Sequence, residues 1–260
     1  MRLIDTHCHL THGRLRPDVD AVLTRARQAG VAAFVCAAGD LPESKAALGL
    51  AHQQPDVYCM AGVHPHDAKD AGGDYLARIE HMAADGKNVA VGEIGLDYHY
   101  NYSPPTEQRR VFAEQLDLAR RLGKPAVIHT REAFADTMDL VERSGVAPAG
   151  VVFHSCTEPP ANARRILDWG ANISFSGIVT FRGATDLHAT AKLVPAERML
   201  IETDCPFLSP EPVRKMKTNE PANVAHVARF LADLLGRAPR ELAERTAANA
   251  ARVFGLAIDG

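Results

Sequence analysis

The chain has 260 residues, of which 46% are hydrophobic and 23% charged, and a formal net charge of −3. This composition excludes a disordered chain, and the length suits one large α/β domain. The slightly negative balance argues against non-specific coating of nucleic acid, although a local site holding cations still attracts phosphate.

The N-terminus enters an apolar strand without the basic start and apolar stretch of a signal peptide, and no later run reaches the roughly 20 apolar residues of a membrane span. A cytoplasmic protein with no membrane association is expected, and nothing suggests an obligate protein partner. Cys8, Cys36, Cys59, Cys156 and Cys205 are odd in number and lack zinc-ribbon spacing, which predicts free thiols.

Short apolar runs then alternate with longer segments of helical periodicity, the pattern of parallel βα units. Strands are expected at 2–7, 31–37, 57–62, 88–93, 125–129, 150–154, 171–175 and 198–203. Pro17 opens the first helix and Gly30 closes it; Gly123 with Pro125 stops a helix running from Glu107 to Leu122. No repeat, low-complexity tract or linker divides the chain, so the prediction is one (β/α)8 TIM-type barrel domain over residues 1–260. The proline-rich segment 206–221 is expected to be a long ordered loop.

In the first strand His7 and His9 alternate to one face with Cys8 opposite, a spacing that suits a metal. The same residue types recur at the ends of other predicted strands as Glu93, His129, His154 and Asp204. A barrel brings all strand ends to one face, so six candidate ligands from five strands converge there. Four imidazoles and two carboxylates suit zinc, manganese or magnesium, and a bridging carboxylate lets six side chains serve two divalent ions. Arg131, two residues past His129, is placed to fork a phosphate oxygen or else to pair with Glu132 or Asp97. Asp5 and Glu202 share faces with the ligands and are expected one layer below, orienting His7, His9 or Asp204. Cys205 is expected to point away from the lumen as a small buried hydrophobe. The basic tract at Arg214, Lys215 and Lys217 is either a nucleic-acid contact or a solvated face.

The motifs DTHCHL at 5–10, GVHPHD at 62–67, GEIGLDYHY at 92–100, IHTRE at 128–132, FHS at 153–155 and ETDCPFLSP at 202–210 resemble the TatD family of metal-dependent deoxyribonucleases, in the amidohydrolase superfamily. The resemblance spans nearly the whole chain and implies the same barrel. It also implies that His7, His9, Glu93 and Asp204 surround one metal and Glu93, His129 and His154 the other, with Glu93 bridging and His64 facing the substrate. His66 is left outside the site as a loop histidine. The sequence departs from the family pattern at Glu158, where a small residue is usual, and in the tract Arg214 to Pro221, which lacks the family's glycine.

The expected activity is hydrolysis of DNA phosphodiester bonds by a water that the cations activate, with Asp204 taking its proton. Attack on another ester, lactone, amide or aminoacyl bond is the main alternative, because a fold does not fix a substrate. A non-catalytic nucleic-acid-binding barrel is the third, and lost ligands would mark it.

Overall fold

Because helices cover a barrel's outside while side chains fill its inside, each strand is buried on both faces and reads as a nearly continuous apolar run. Residues 31–36, Val-Ala-Ala-Phe-Val-Cys, are such a run. The computed structural model describes residues 2–257 and contains eight parallel strands hydrogen-bonded in sequence order. They are β1 (Leu3–Cys8), β2 (Val31–Cys36), β3 (Val57–Ala61), β4 (Asn88–Asp97), β5 (Ala126–Arg131), β6 (Val151–Phe153), β7 (Asn172–Phe175) and β8 (Met199–Ile201). The ring closes through Thr6, whose hydroxyl donates to the Ile201 carbonyl at 3.0 Å, and through the Asp204 N–H, which donates to the His7 carbonyl at 2.9 Å. The predicted barrel is the observed architecture; residues 1 and 258–260 of the predicted domain lie outside the described residues. No helix among the described residues is long and apolar enough to cross a membrane.

Inside the barrel, Ile4, Val35, Met60, Val127 and Leu200 pack against Ala250, Val253 and Phe254 of the helix Pro239–Phe254. That helix plugs the end at which the strands begin, which leaves the opposite mouth for chemistry. A second and larger core lies between the strands' outer face and the surrounding helices. Leu3 and Cys8 both belong to this outer layer although they are five residues apart, so alternation slips once between them, at the register shift after Asp5. The slip keeps Cys8 outside while His7 reaches the mouth. Cys205 is likewise buried in the outer core, and all five cysteines are free thiols.

Several boundaries differ from those expected, and two of the differences bear on the site or its helices. The helix expected from Glu107 begins at Pro105, whose fixed φ suits a first turn. Strand β4 was expected to end at Glu93 and instead continues to Asp97, so Glu93 lies within the strand. Past Glu93 the strand keeps its pairing with β5, Gly95 opposite His129 and Asp97 opposite Arg131. Gly95 makes this continuation feasible: its φ is +146°, and a side chain there would overlap the His129 carbonyl. Segment 206–220 carries no strand or helix. Asn219 fastens it by donating to the carbonyls of Thr203 at 3.1 Å and Phe207 at 2.7 Å.

Candidate metal centre

Glu93 sits at the centre of the mouth, and its two oxygens face different partners. Oε2 lies 3.1 Å from His7 Nε2 and 3.9 Å from His9 Nε2. Oε1 lies 2.8 Å from His154 Nε2, 3.0 Å from His129 Nδ1 and 3.3 Å from His64 Nε2. Asp204 completes the first half, with Oδ1 at 3.3 Å from His9 Nε2 and 3.8 Å from His7 Nε2. The other five sequence-predicted ligands, together with His64, therefore gather around Glu93.

Local backbone geometry aims these groups. Between Val91 and Ile94 the register of β4 against β5 shifts, an irregularity that re-aims a side chain, and Glu93 lies in that stretch. Asp204 follows β8 at φ +53°, a left-handed conformation that costs an aspartate energy and persists only where surrounding bonds fix it. Two such bonds are present: its own N–H donates to the His7 carbonyl, and His9 N–H donates to the Cys205 carbonyl at 2.8 Å. His154 is set just past β6 by its N–H, which donates to the Ile128 carbonyl at 3.1 Å.

Burial pushes the Glu93 carboxyl up, but the imidazoles of His154, His64 and His7 outweigh it and hold the group well below the usual carboxylate range. Burial opposes charge on His154, yet Glu93 and Glu202 hold its imidazole well above the ordinary value. The opposite happens at His64, which burial pushes down to about 4 despite Glu93.

Hydrogen-bond partners on the far side of each ring separate the histidines by role. His129 Nε2 lies 3.1 Å from Asp97 Oδ2, and His154 Nδ1 lies 3.2 Å from Glu202 Oε1. A carboxylate takes the ring N–H, so in the neutral imidazole the other nitrogen presents its lone pair to the centre, as a metal ligand must. For His64 the order is reversed: its Nδ1 accepts the His66 N–H at 3.1 Å, which leaves the proton on Nε2 facing Glu93. His64 is thus built as a donor toward the site rather than as a ligand.

His7 supplies the test of fit. It is fully buried, and neither ring nitrogen has a hydrogen-bond partner, the contact to Glu93 being close but misaligned. Leaving a buried polar atom unpaired costs about 1–3 kcal/mol, a penalty that coordination to a cation removes. The candidate donor atoms of His7, His9 and Asp204 lie within 4.8 Å of one another, and Glu93 Oε1, His129 Nδ1 and His154 Nε2 lie within 3.4 Å of one another. A mixed nitrogen and oxygen set of this kind fits zinc, manganese or magnesium. His7, His154 and Glu202 also cluster, but the Glu202 oxygens are engaged by His154, by Ser155 N–H at 2.7 Å and by the Ser174 hydroxyl at 2.5 Å. Glu202 supports His154; it does not serve His7, His9 or Asp204, which the sequence reading gave it. Asp5 braces the end of β8 instead of a ligand ring, accepting the Thr203 N–H at 2.9 Å and its hydroxyl at 2.6 Å, while burial pushes its carboxyl up to about 8.

Arg131 lies at the exposed rim with its guanidinium 4.7 Å from the Tyr100 ring centre. Neither anticipated carboxylate engages it. Glu132 pairs with His99 at 2.7 Å, and Asp97 is occupied by His129 and by His66, whose Nε2 lies 3.0 Å away. His66, left out of the site on sequence grounds, therefore belongs to its support. Asp97 is the main residue that the sequence reading missed. Even spacing from Glu93 along one strand was the signal for it. Glu158 turns away to accept from Asn162 at 2.6 Å. In the basic tract, Arg214 lies over the Phe181 ring at 3.9 Å, and Lys215 and Lys217 are exposed.

Comparison with known proteins adds four findings. The family described as TatD related DNase matches residues 4–255. The chain is 40% identical over 259 residues to "Uncharacterized metal-dependent hydrolase YcfH" of Escherichia coli (strain K12), covering 98% of this chain and 97% of that one. It is 35% identical over 256 residues to "3'-5' ssDNA/RNA exonuclease TatD" of Cronobacter sakazakii, covering 97% of each. Among solved structures, YJJV, a TatD homologue from Escherichia coli K12, superposes with a TM-score of 0.93 at 28% identity over 98% of each chain.

Proposed function

We propose that this chain, which belongs to the TatD-related DNase family and is a metal-dependent hydrolase, cleaves phosphodiester bonds of DNA with two divalent cations. In this reading His7, His9, Glu93 and Asp204 hold one ion and Glu93, His129 and His154 the other. The observation that carries it is the division of Glu93, whose Oε2 faces the first set while its Oε1 faces the second. Bound there, the ions supply Lewis acidity toward phosphoryl oxygens and lower the pKa of water.

The protein's own groups do the rest. Asp204 Oδ1 is turned toward His9 and His7, and Oδ2 accepts the proton released by the attacking water. His64 Nε2–H donates to a non-bridging phosphoryl oxygen, where charge develops in the transition state. Asp97 and Glu202 lock the rings of His129 and His154, so that neither ligand has to reorient during turnover. The exonuclease name of the Cronobacter relative supports nucleic acid as the substrate class. The non-catalytic alternative would require lost ligands, and all six are present.

The test is a panel of single-stranded DNA, duplex DNA, RNA and carboxylic esters offered to protein loaded with zinc, manganese or magnesium. Metal-dependent cleavage of DNA with inert esters is expected; ester turnover with intact DNA would move the assignment to carbonyl chemistry. Asp97→Asn is expected to weaken metal binding about 10–100-fold, the usual cost of losing such a supporting group. Titration of the metal-free variant with zinc checks this, and wild-type affinity would remove Asp97 from the support of His129.

A further inference from the structure

Among the described residues the large apolar side chains that remain exposed are Tyr100, Tyr102, Phe207 and Met216. Tyr100 and Tyr102 follow β4 and Phe207 follows β8, so these three border the mouth with the candidate metal centre. Exposed apolar clusters on a protein surface mark places where something binds.

Their neighbours say what kind of ligand. Tyr100 and Tyr102 are stacked with ring centres 5.3 Å apart and planes 17° from parallel. Tyr100 also carries the Arg131 guanidinium, and His66 joins the pair to the centre, its ring 4.8 Å from Tyr102 and its Nε2 on the Asp97 carboxylate that holds His129. Phe207 repeats the arrangement: Arg14 lies 5.7 Å from its ring centre, and its edge-on contacts to His12 and His9 tie it to a candidate ligand. In a ring of eight strands in sequence order, the β4 and β5 ends lie across the mouth from the β1 and β8 ends. The metal centre is thus flanked on two opposite sides by an aromatic surface paired with an arginine.

We infer that these two surfaces are base-stacking platforms, Tyr100 and Tyr102 with Arg131 on one side and Phe207 with Arg14 on the other, which hold the unpaired bases flanking the scissile phosphate. Flat aromatic faces with adjacent cations suit a single nucleic-acid strand, in which every base offers a π-face and every linkage a charge. A duplex keeps its bases stacked on one another and cannot use the platforms. The inference rests on the nucleic-acid reading above and adds to it the residues that select single strands.

Binding of metal-loaded protein to a short phosphorothioate oligothymidine and to its abasic counterpart, followed by fluorescence anisotropy, tests the idea. Base stacking on an aromatic side chain contributes roughly tenfold or more per base. Wild-type protein is expected to prefer the intact strand by about a hundredfold, one factor of ten for each platform. Tyr100→Leu with Tyr102→Leu should cut that preference to about tenfold, and Phe207→Leu should do the same. Affinity for the abasic strand should hold in both variants, which also verifies their folding. An intact-to-abasic ratio in the double tyrosine variant equal to that of the wild type would overturn the platforms while leaving the nuclease reading in place. Wild-type protein that hydrolysed bis(p-nitrophenyl) phosphate yet bound neither strand would sink the nucleic-acid reading, and the platforms with it.

Discussion

Asp204→Asn protein, assayed in excess metal, is expected to turn over substrate about 10²–10⁴-fold more slowly than the parent, the range that a positioned proton acceptor supplies. The substitution keeps the side chain's size and its place after β8 but exchanges an acceptor oxygen for an amide. Asp204 is the better placed of the two central carboxylates for this work. Its side chain is 15% exposed and open to the mouth, whereas that of Glu93 is 5% exposed and enclosed by imidazoles. The left-handed backbone at Asp204 and its bond to the His7 carbonyl leave the carboxylate little freedom to move, so the loss should fall on turnover more than on substrate affinity. Ion content has to be measured in the same variant, because Asp204 also belongs to the proposed ligand set. Parental turnover at full ion occupancy would show that another group takes the proton.

Much of the barrel was legible because its strands obey a simple rule. Buried on both faces, they stand out as apolar runs between amphipathic helices, and all eight fall where expected to within a few residues. The six ligand-type residues were legible because a barrel gathers its strand ends at one mouth, and those positions were already occupied by histidines and acids.

What escaped the sequence had specific physical causes. Glycine and aspartate disfavour strands, so β4 appeared to stop at Glu93. In the fold, Gly95 accepts the close approach of the His129 carbonyl, and Gln108 receives the Asp97 N–H at 2.8 Å, so the strand continues and delivers Asp97 to His129. The different jobs of His64 and His129 followed from the family resemblance and not from the residues themselves. Both are histidines near strand ends, and only the partner of the second ring nitrogen, a backbone N–H for one and a carboxylate for the other, tells donor from ligand. The pairing of exposed aromatics with Arg131 and Arg14 depends on loops whose course no periodicity describes. Net charge carried no information about substrate, since the cations proposed for the mouth are not part of the chain.

The ion count of the Glu93→Gln variant is the other large expected effect, and the central claim depends on it. Glu93 is the residue shared by both proposed sets, and its replacement by an isosteric amide removes the charge on which five imidazoles converge. Loss of one shared carboxylate should therefore weaken both sites together, which no other single ligand substitution would do. The decisive measurement is elemental analysis of metal-saturated, dialysed protein alongside this variant. The account predicts two divalent ions per wild-type chain and fewer than two in Glu93→Gln; saturation of the wild type at one ion, with that ion retained unchanged by Glu93→Gln, would contradict it.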